Sequence, residues 1–289
     1  DLVQLGPEWA LQDPQDYIRT FRNSVPDLLS QAGVNSEDVI GIGIDFTACT
    51  MLPVKRDGTP LCMLPEYRRN PHSWVKLWKH HAAQPEADKI NATARRMAEP
   101  WLYRYGGKVS SEWFFAKTLQ ILDEAPDIYD AADRLIEAAD WVVWQLTVDE
   151  KRNSCTAGYK AIWSKQEGYP APAFFKALDP RFENVVAEKM DCDISPIGDK
   201  AGELTEQAAA WTGLRPGPGR CSASRPATSG PSASWTRSSA TTTSRNPRGA
   251  RRGLWRGAGL RDAEGRGVPP RCHRGPCRLG RADLPETGL

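Results

Sequence analysis

Apolar residues at Tyr17, Phe21, Val25, Leu28 and Leu29 recur at helical spacing. Asp13-Pro14 stands before them as N-cap and first helical residue, and Gly33 follows as the stop. The pattern then changes. Val39-Ile40-Gly41-Ile42-Gly43-Ile44 is a continuous run of β-branched residues and glycine, which predicts a buried strand ending at Asp45-Phe46-Thr47-Ala48-Cys49-Thr50. Met51 to Val54 continues extended, Arg56-Asp57-Gly58-Thr59 is a hairpin turn signal, and Leu61 to Leu64 is expected to return as its partner strand.

Beyond the turn the spacing becomes helical again. A polar-aromatic helix is predicted over about Ser73 to Met97, broken by Pro85, followed by a loop at Gly106-Gly107. Ser110, Ser111 and Glu112 start the next helix, with Glu112 in a capping role and Trp113, Phe114, Leu119, Ile121 and Leu122 on the apolar face. Leu135 to Ala139 reads as a short strand, and Asp140 caps a helix carrying Trp141, Val142, Val143, Trp144 and Leu146. Asn153 to Trp163 is expected to be loop and edge structure. Phe174, Phe175 and Leu178 mark a short helix, and Thr205 opens a last one ending near Gly213-Leu214. The alternation of strands and helices predicts an α/β fold, without internal repeats.

Composition divides this picture near Leu214. Residues 1–214 carry a net charge of −9 and residues 215–289 a net of +11, within a total of +2. Residues 215–289 hold 15 Arg, no Lys, and a single β-branched aliphatic residue, Val268. A segment this poor in apolar residues has too little to bury against its conformational entropy, so disorder is expected there. Two domains follow: 1–214 as the folded body and 215–289 as a low-complexity tail. One reading of the tail is an arginine-rich arm for nucleic acid. It has only Trp235 and Trp255 for base stacking, and its composition is better matched by GC-rich DNA translated out of frame. No run approaches the roughly 18 apolar residues of a membrane helix, and no secretory signal is expected, so a cytoplasmic location is. The single cysteines Cys49, Cys62, Cys155 and Cys192 fit free thiols in a reducing compartment. Cys272, His273 and Cys277 lack zinc-site spacing.

Three segments could carry chemistry. Asp45-Phe46-Thr47-Ala48-Cys49 ends a strand, where ligands bind in open α/β sheets; it is either a sugar or phosphate contact or a plain strand end. Within Leu77-Trp78-Lys79-His80-His81, Trp78 could stack on the apolar face of a sugar, or be a core residue beside solvated histidines; adjacent histidines on a helix would face apart, which disfavours a metal. Lys160 follows a glycine and could reach a ligand oxygen, or lie exposed. Glu137 is left open as a possible acid or base. Nine of the chain's 11 Trp lie in the body, a richness that suits carbohydrate contact as well as core. No P-loop and no dinucleotide fingerprint is present.

Several of these blocks resemble the ribulokinase branch of the FGGY carbohydrate kinase family. They are Gly41 to Pro53, Val75 to Ala83, Tyr105 to Trp113, Glu137 to Thr147 and Thr156 to Ala161, in order, within about residues 7–217. The resemblance implies an actin-like, ribonuclease-H-like sugar kinase N-terminal domain, incomplete here. It implies ATP- and Mg²⁺-dependent phosphorylation of L-ribulose at its 5-hydroxyl in L-arabinose breakdown, and a homodimer in intact members; a related ketose such as xylulose is the alternative substrate. It places Ala48, Trp78 and Lys160 against the sugar. Two parts do not carry over. The Asp-Phe-Gly-Thr phosphate turn is expected upstream of this sequence. The base Asp of a Gly-Asn-x-Asp-Ala-His segment is expected near position 226, where Pro226 stands and cannot accept a hydroxyl proton. The polypeptide as written is therefore expected to be an inactive fragment, read out of frame after the body.

Overall fold

The computed structural model describes residues 5–223 and 239–244, with side chains to 217. Leu11–Gln12 (β1) leads into α1, Pro14–Ala32. The Asp13 side chain accepts from the Gln15 amide, Pro14 opens the helix, and Gly33 closes it at φ +60°. These are the caps that the sequence predicts. Next come β2 (Val39–Asp45), β3 (Met51–Val54), β4 (Val75–Lys76), α2 (Gln84–Arg96), α3 (Trp101–Arg104), α4 (Phe114–Glu124), α5 (Pro126–Ala131) and β5 (Arg134–Glu137). The order continues with α6 (Ala138–Thr147), β6 (Arg152–Asn153), α7 (Ser154–Lys160), α8 (Pro172–Leu178), α9 (Val185–Lys189), β7 (Ile194–Ser195), β8 (Gly202–Leu204) and α10 (Glu206–Thr212). Two further strands, β9 (Gly217–Ala223) and β10 (Ser239–Ser244), pair with β2, parallel and antiparallel respectively. The rest of the arginine-rich segment, including Pro226, Cys272 and Cys277, lies outside the described residues.

The described strands form three sheets: one in the order β1-β4-β3-β5, one in the order β10-β2-β9-β8 and a two-stranded pair β6-β7. β3 is covered on both faces, since all four of its residues are buried. Met51 joins a core formed largely by α2, α4 and α8, while Leu52 and Val54 join a second core with α1, α6 and α10. Alternation along one strand thus separates the two cores. Pro53 is tolerated inside this strand because β4 reaches only Met51, leaving β5 as the sole partner at Pro53.

Several expectations need correction. Residues 61–64 do not return as a strand. Leu61–Met63 is a 3₁₀ turn, and the place beside β3 is taken by β5, whose Leu135 and Ile136 pair with Pro53 and Leu52. No helix spans 73–97. Val75–Lys76 is a strand, and Pro85 sits in the first turn of α2 and starts it rather than breaking it. Asn153 to Trp163 holds the helix α7, nucleated by the Asn153 side chain accepting from Cys155 and Thr156 amides. β2 is buried only toward its end: Ile42 and Ile44 are covered, while Ile40, on the same face, is 51% exposed.

The turn after β3 has the predicted form. Gly58 holds φ +83°, and its carbonyl accepts from Trp141 Nε1 at 2.8 Å. A Cβ there would sit 2.8 Å from Gln145 Nε2 and 3.5 Å from the Trp144 ring. Gly58→Ala is expected to cost ~1–3 kcal/mol through the positive φ and the close approach. A thermal melt unchanged from wild type would contradict this.

Candidate functional site

The site forms where the chain passes from the second sheet to the first. β2 ends at Asp45, and residues 46–50 turn back into β3. The turn requires Cys49 at φ +57°, an uncommon conformation for a residue with a β-carbon. Cys49 is fully buried, and burial pushes its thiol up to about 12, so it is a neutral thiol at physiological pH.

Lys117 holds this turn in place. It lies in the apolar run of α4 and is fully buried, yet its ammonium donates to the Cys49 carbonyl and the Leu77 carbonyl, each at 2.6 Å. One side chain therefore ties the turn after β2 to the loop after β4. Thr50 adds to the tie: its hydroxyl shares a hydrogen with Thr47 Oγ1 at 2.8 Å and accepts from the Trp78 amide at 3.2 Å. Its carbonyl accepts from the Ala138 amide at 2.7 Å. Ala48 is buried at the turn, and Trp78 is 40% exposed and joins neither core.

Lys160 is the last residue of α7, and it is not a free surface cation. Its Nζ donates to Glu112 Oε2 at 2.8 Å. The other Glu112 oxygen lies 3.8 Å from His81 Nε2, and His81 Nδ1 is 3.3 Å from Ser111 Oγ. The expected capping role of Glu112 is thus replaced by ion pairing; α4 begins after Trp113 with no side-chain cap. The histidine pair also separates. His81 is at the surface, whereas His80 is fully buried, accepts from the Ala10 amide and bonds Gln120 Oε1 at 2.9 Å. The expectation of solvated histidines fails for His80, because the chain here is a turn and not a helix.

Asp140 does not cap α6, which begins at Ala138 with Glu137 in the N-cap position. Instead Asp140 accepts from the Asn153 backbone and side-chain amides at 3.1 and 2.7 Å. It thereby anchors the N-terminus of the helix that ends in Lys160. Glu137 is buried behind the turn, with its carboxyl group against the Cys49 backbone. Burial holds its pKa well above the usual carboxylate range, and Asp140 pushes it further in the same direction. Between the two values the unfolded chain releases the proton and the folded chain keeps it. Stability from the neutral acid is therefore present at low pH and is lost as pH rises above the unfolded value near 4.5. Glu137→Gln should therefore gain on wild type as pH rises above 4.5. Denaturant melts at pH 6 and 7 read this, and parallel stability curves would refute it.

The described residues around the turn therefore bring together Ala48, Trp78 and Lys160 as three elements of one tied assembly, joined through Thr50, Lys117 and Glu112. The sequence reading missed Lys117 and the partnership of Glu112. A lysine inside Phe114-Phe115-Ala116-Lys117-Thr118-Leu119 was the available signal, since a cation in an apolar helix face must find buried acceptors. No group of three or more His, Cys, Asp or Glu side chains suited to a metal gathers among the described residues. Also among them, no helix is long and apolar enough to cross a membrane.

No family model matches the chain. Curated relatives do. The chain is 59% identical over 215 residues to a ribulokinase of Geobacillus thermodenitrificans, covering 74% of this chain and 38% of that protein. It is 55% identical over 216 residues to a ribulokinase of Mycolicibacterium smegmatis, with the same coverage, and 34% identical over 212 residues to one of Staphylococcus aureus, covering 73% and 39%. The chain thus spans about two fifths of the length of the curated relatives it matches. Among solved structures, a xylulose kinase from Rhodospirillum rubrum matches with TM-score 0.59 and 19% identity, over 78% of this chain and 42% of that one. A kinase from Brucella ovis described as a xyloylose kinase matches with TM-score 0.56 and 15% identity, over 78% and 42%. These structural likenesses establish the actin-like sugar kinase fold of the body.

Proposed function

We propose that this chain, whose body is homologous to the ribulokinases and so is a carbohydrate kinase by family, is the pentulose-binding part of an ATP-dependent L-ribulose kinase. The observation that carries the reading is the 55–59% identity to ribulokinases over 215–216 residues. The structure adds support: a half-exposed indole, a nearly buried alanine at a strand end and a partly buried ammonium are tied into one assembly. An indole face suits the C–H side of a sugar, and Lys160 donates to its hydroxyl oxygens.

In this reading the phosphoryl group comes from ATP, and Mg²⁺ neutralises the phosphate charge when bound. The described residues do not fit that role, because they gather no carboxylate cluster and follow no phosphate-loop pattern. In this reading the described part of the chain binds and orients the sugar. With Pro226 where the base is expected, loss of proton acceptance alone costs about 10²–10⁴-fold in rate. The chain is accordingly read as inactive, located in the cytoplasm, with its substrate a small neutral sugar rather than nucleic acid.

The test is calorimetric titration of L-ribulose and D-xylulose into the 289-residue chain, with a coupled ADP assay alongside. Tighter binding of L-ribulose without ADP formation is expected. Absence of any sugar binding would end the reading, and ADP release dependent on L-ribulose would end the claim of inactivity.

A further inference from the structure

We infer that Glu112 is a positioning residue that fixes both the place and the charge balance of Lys160, and that the pair selects an uncharged polyhydroxylated sugar against a sugar acid. This rests on the sugar-site reading above. The geometry comes first. Glu112 lies in the lead-in to α4 but turns away from the helix, giving Oε2 to Lys160 and facing His81 with Oε1. It therefore joins α7 to the loop that carries Trp78. The Lys160 and Glu112 side chains are 19% and 22% exposed, largely shielded yet still reached by solvent. A lysine on four rotatable bonds has no fixed position of its own; its partner decides where the ammonium sits.

Electrostatics gives the second part. Burial works against the Lys160 ammonium, and Cys49 and Glu112 more than offset it, leaving its pKa raised. The Cys49 thiol stays protonated to about pH 12, so at neutral pH Glu112 is the anion that acts. The ammonium then offers its remaining N–H donors with its charge already matched. A hydroxyl can accept from it, and a second hydroxyl can donate to the carboxylate. An aldonate meets the same ammonium but also the Glu112 charge, so the carboxylate is a repulsive element aimed at acids of sugar size.

The experiment compares the 289-residue chain with Glu112→Gln, nearly the same shape without the charge. Circular dichroism confirms folding, and Glu112→Asp, with a longer gap to Lys160, serves as a second variant expected to move the same way. L-ribulose and L-arabinonate are titrated into each. Acylation of Lys160 by an N-hydroxysuccinimide ester is followed by mass spectrometry. In Glu112→Gln, L-ribulose binding should weaken about 10-fold through loss of the charged hydrogen bond. The affinity ratio of arabinonate to ribulose should rise by about 10-fold, and Lys160 acylation should accelerate severalfold as its pKa falls. Weaker ribulose binding with an unchanged ratio and unchanged acylation would reduce Glu112 to a structural role and overturn the inference. Failure of the wild-type chain to bind any sugar would overturn the selectivity claim together with the sugar-site reading, while the acylation rates identify which of the two parts failed.

Discussion

Lys117→Ala is expected to destabilise the body by about 4 kcal/mol or more, the sum of a cavity in a packed helix face and two buried carbonyls left without a donor. For a folded body of this size that corresponds to a fall in melting temperature of roughly 10 °C. The residue is fully buried, and its ammonium donates to both the Cys49 and Leu77 carbonyls at 2.6 Å. Lys117→Met keeps most of the volume and should lose about 2 kcal/mol, the part due to the unpaired carbonyls. The pH dependence separates the variants further. Burial pulls the Lys117 pKa down to about 8 from 10.5. In that interval the unfolded chain holds a proton that the folded chain has released, so wild type gains stability on Lys117→Met as pH rises from about 8. Chemical denaturation of the three proteins at pH 7 and 9 measures both effects. Stability within about 1 kcal/mol of wild type for Lys117→Ala would mean that the turn holds itself, against the cost of burying unsatisfied carbonyls.

Such a staple exists because the site is made of strained and irregular backbone. A left-handed Cys49, a strand only two residues long at Val75–Lys76, and a loop running on to His81 have little regular hydrogen bonding of their own. Backbone groups in these segments must be satisfied by side chains, and Thr50 and Lys117 do so for the Trp78 amide and the Cys49 and Leu77 carbonyls. Trp78 can remain partly open because its main chain is held at Thr50 rather than by packing of its ring.

The same physics separates what was legible in the sequence from what was not. Local signals held wherever a cap or a period acts over a few residues: Asp13-Pro14 with Gly33 for α1, the run after Val39 for β2, Gly58 for its turn, and Thr205 with Gly213 for α10. They failed where a distant segment competes. Leu61 to Leu64 has the residues of a return strand, but β5, some seventy residues on, takes the edge of β3. Val75–Lys76 sits in a helix-like pattern and is drawn into a sheet by β1 and β3 on either side. Of the candidate site, Ala48, Trp78 and Lys160 were proposed from family likeness. Glu112 was visible only as a cap, because its partners on α7 and in the 78–81 loop cannot be read from spacing along the chain.

Asp140→Ala should cost about 3 kcal/mol, since it strips buried amides and the buried Arg152 of a counter-charge. The Asp140 carboxylate accepts from both Asn153 amides and from Thr156 Oγ1 at 3.4 Å. Asn153 in turn caps α7 through the Cys155 and Thr156 amides at 3.0 and 2.9 Å. Losing the acceptor frees the cap, and the helix that ends in Lys160 loosens from its N-terminus. Hydrogen exchange should therefore accelerate at Cys155 and Thr156 by more than at the α1 amides of the same protein, a local effect that global destabilisation alone does not give. Asp140→Asn retains a carbonyl acceptor and provides the pH control. Burial pushes the Asp140 carboxyl up to about 6 from 3.8, with Arg152 and Asn153 opposing it. Ionisation is thus harder in the folded chain, and the stability of wild type relative to Asp140→Asn declines as pH rises from about 4 to about 6, then levels off. If exchange across α7 in Asp140→Ala kept its wild-type ratio to α1, the link from this buried acid to the lysine at the far end of the helix would be lost. Lys160 would then owe its position to Glu112 alone.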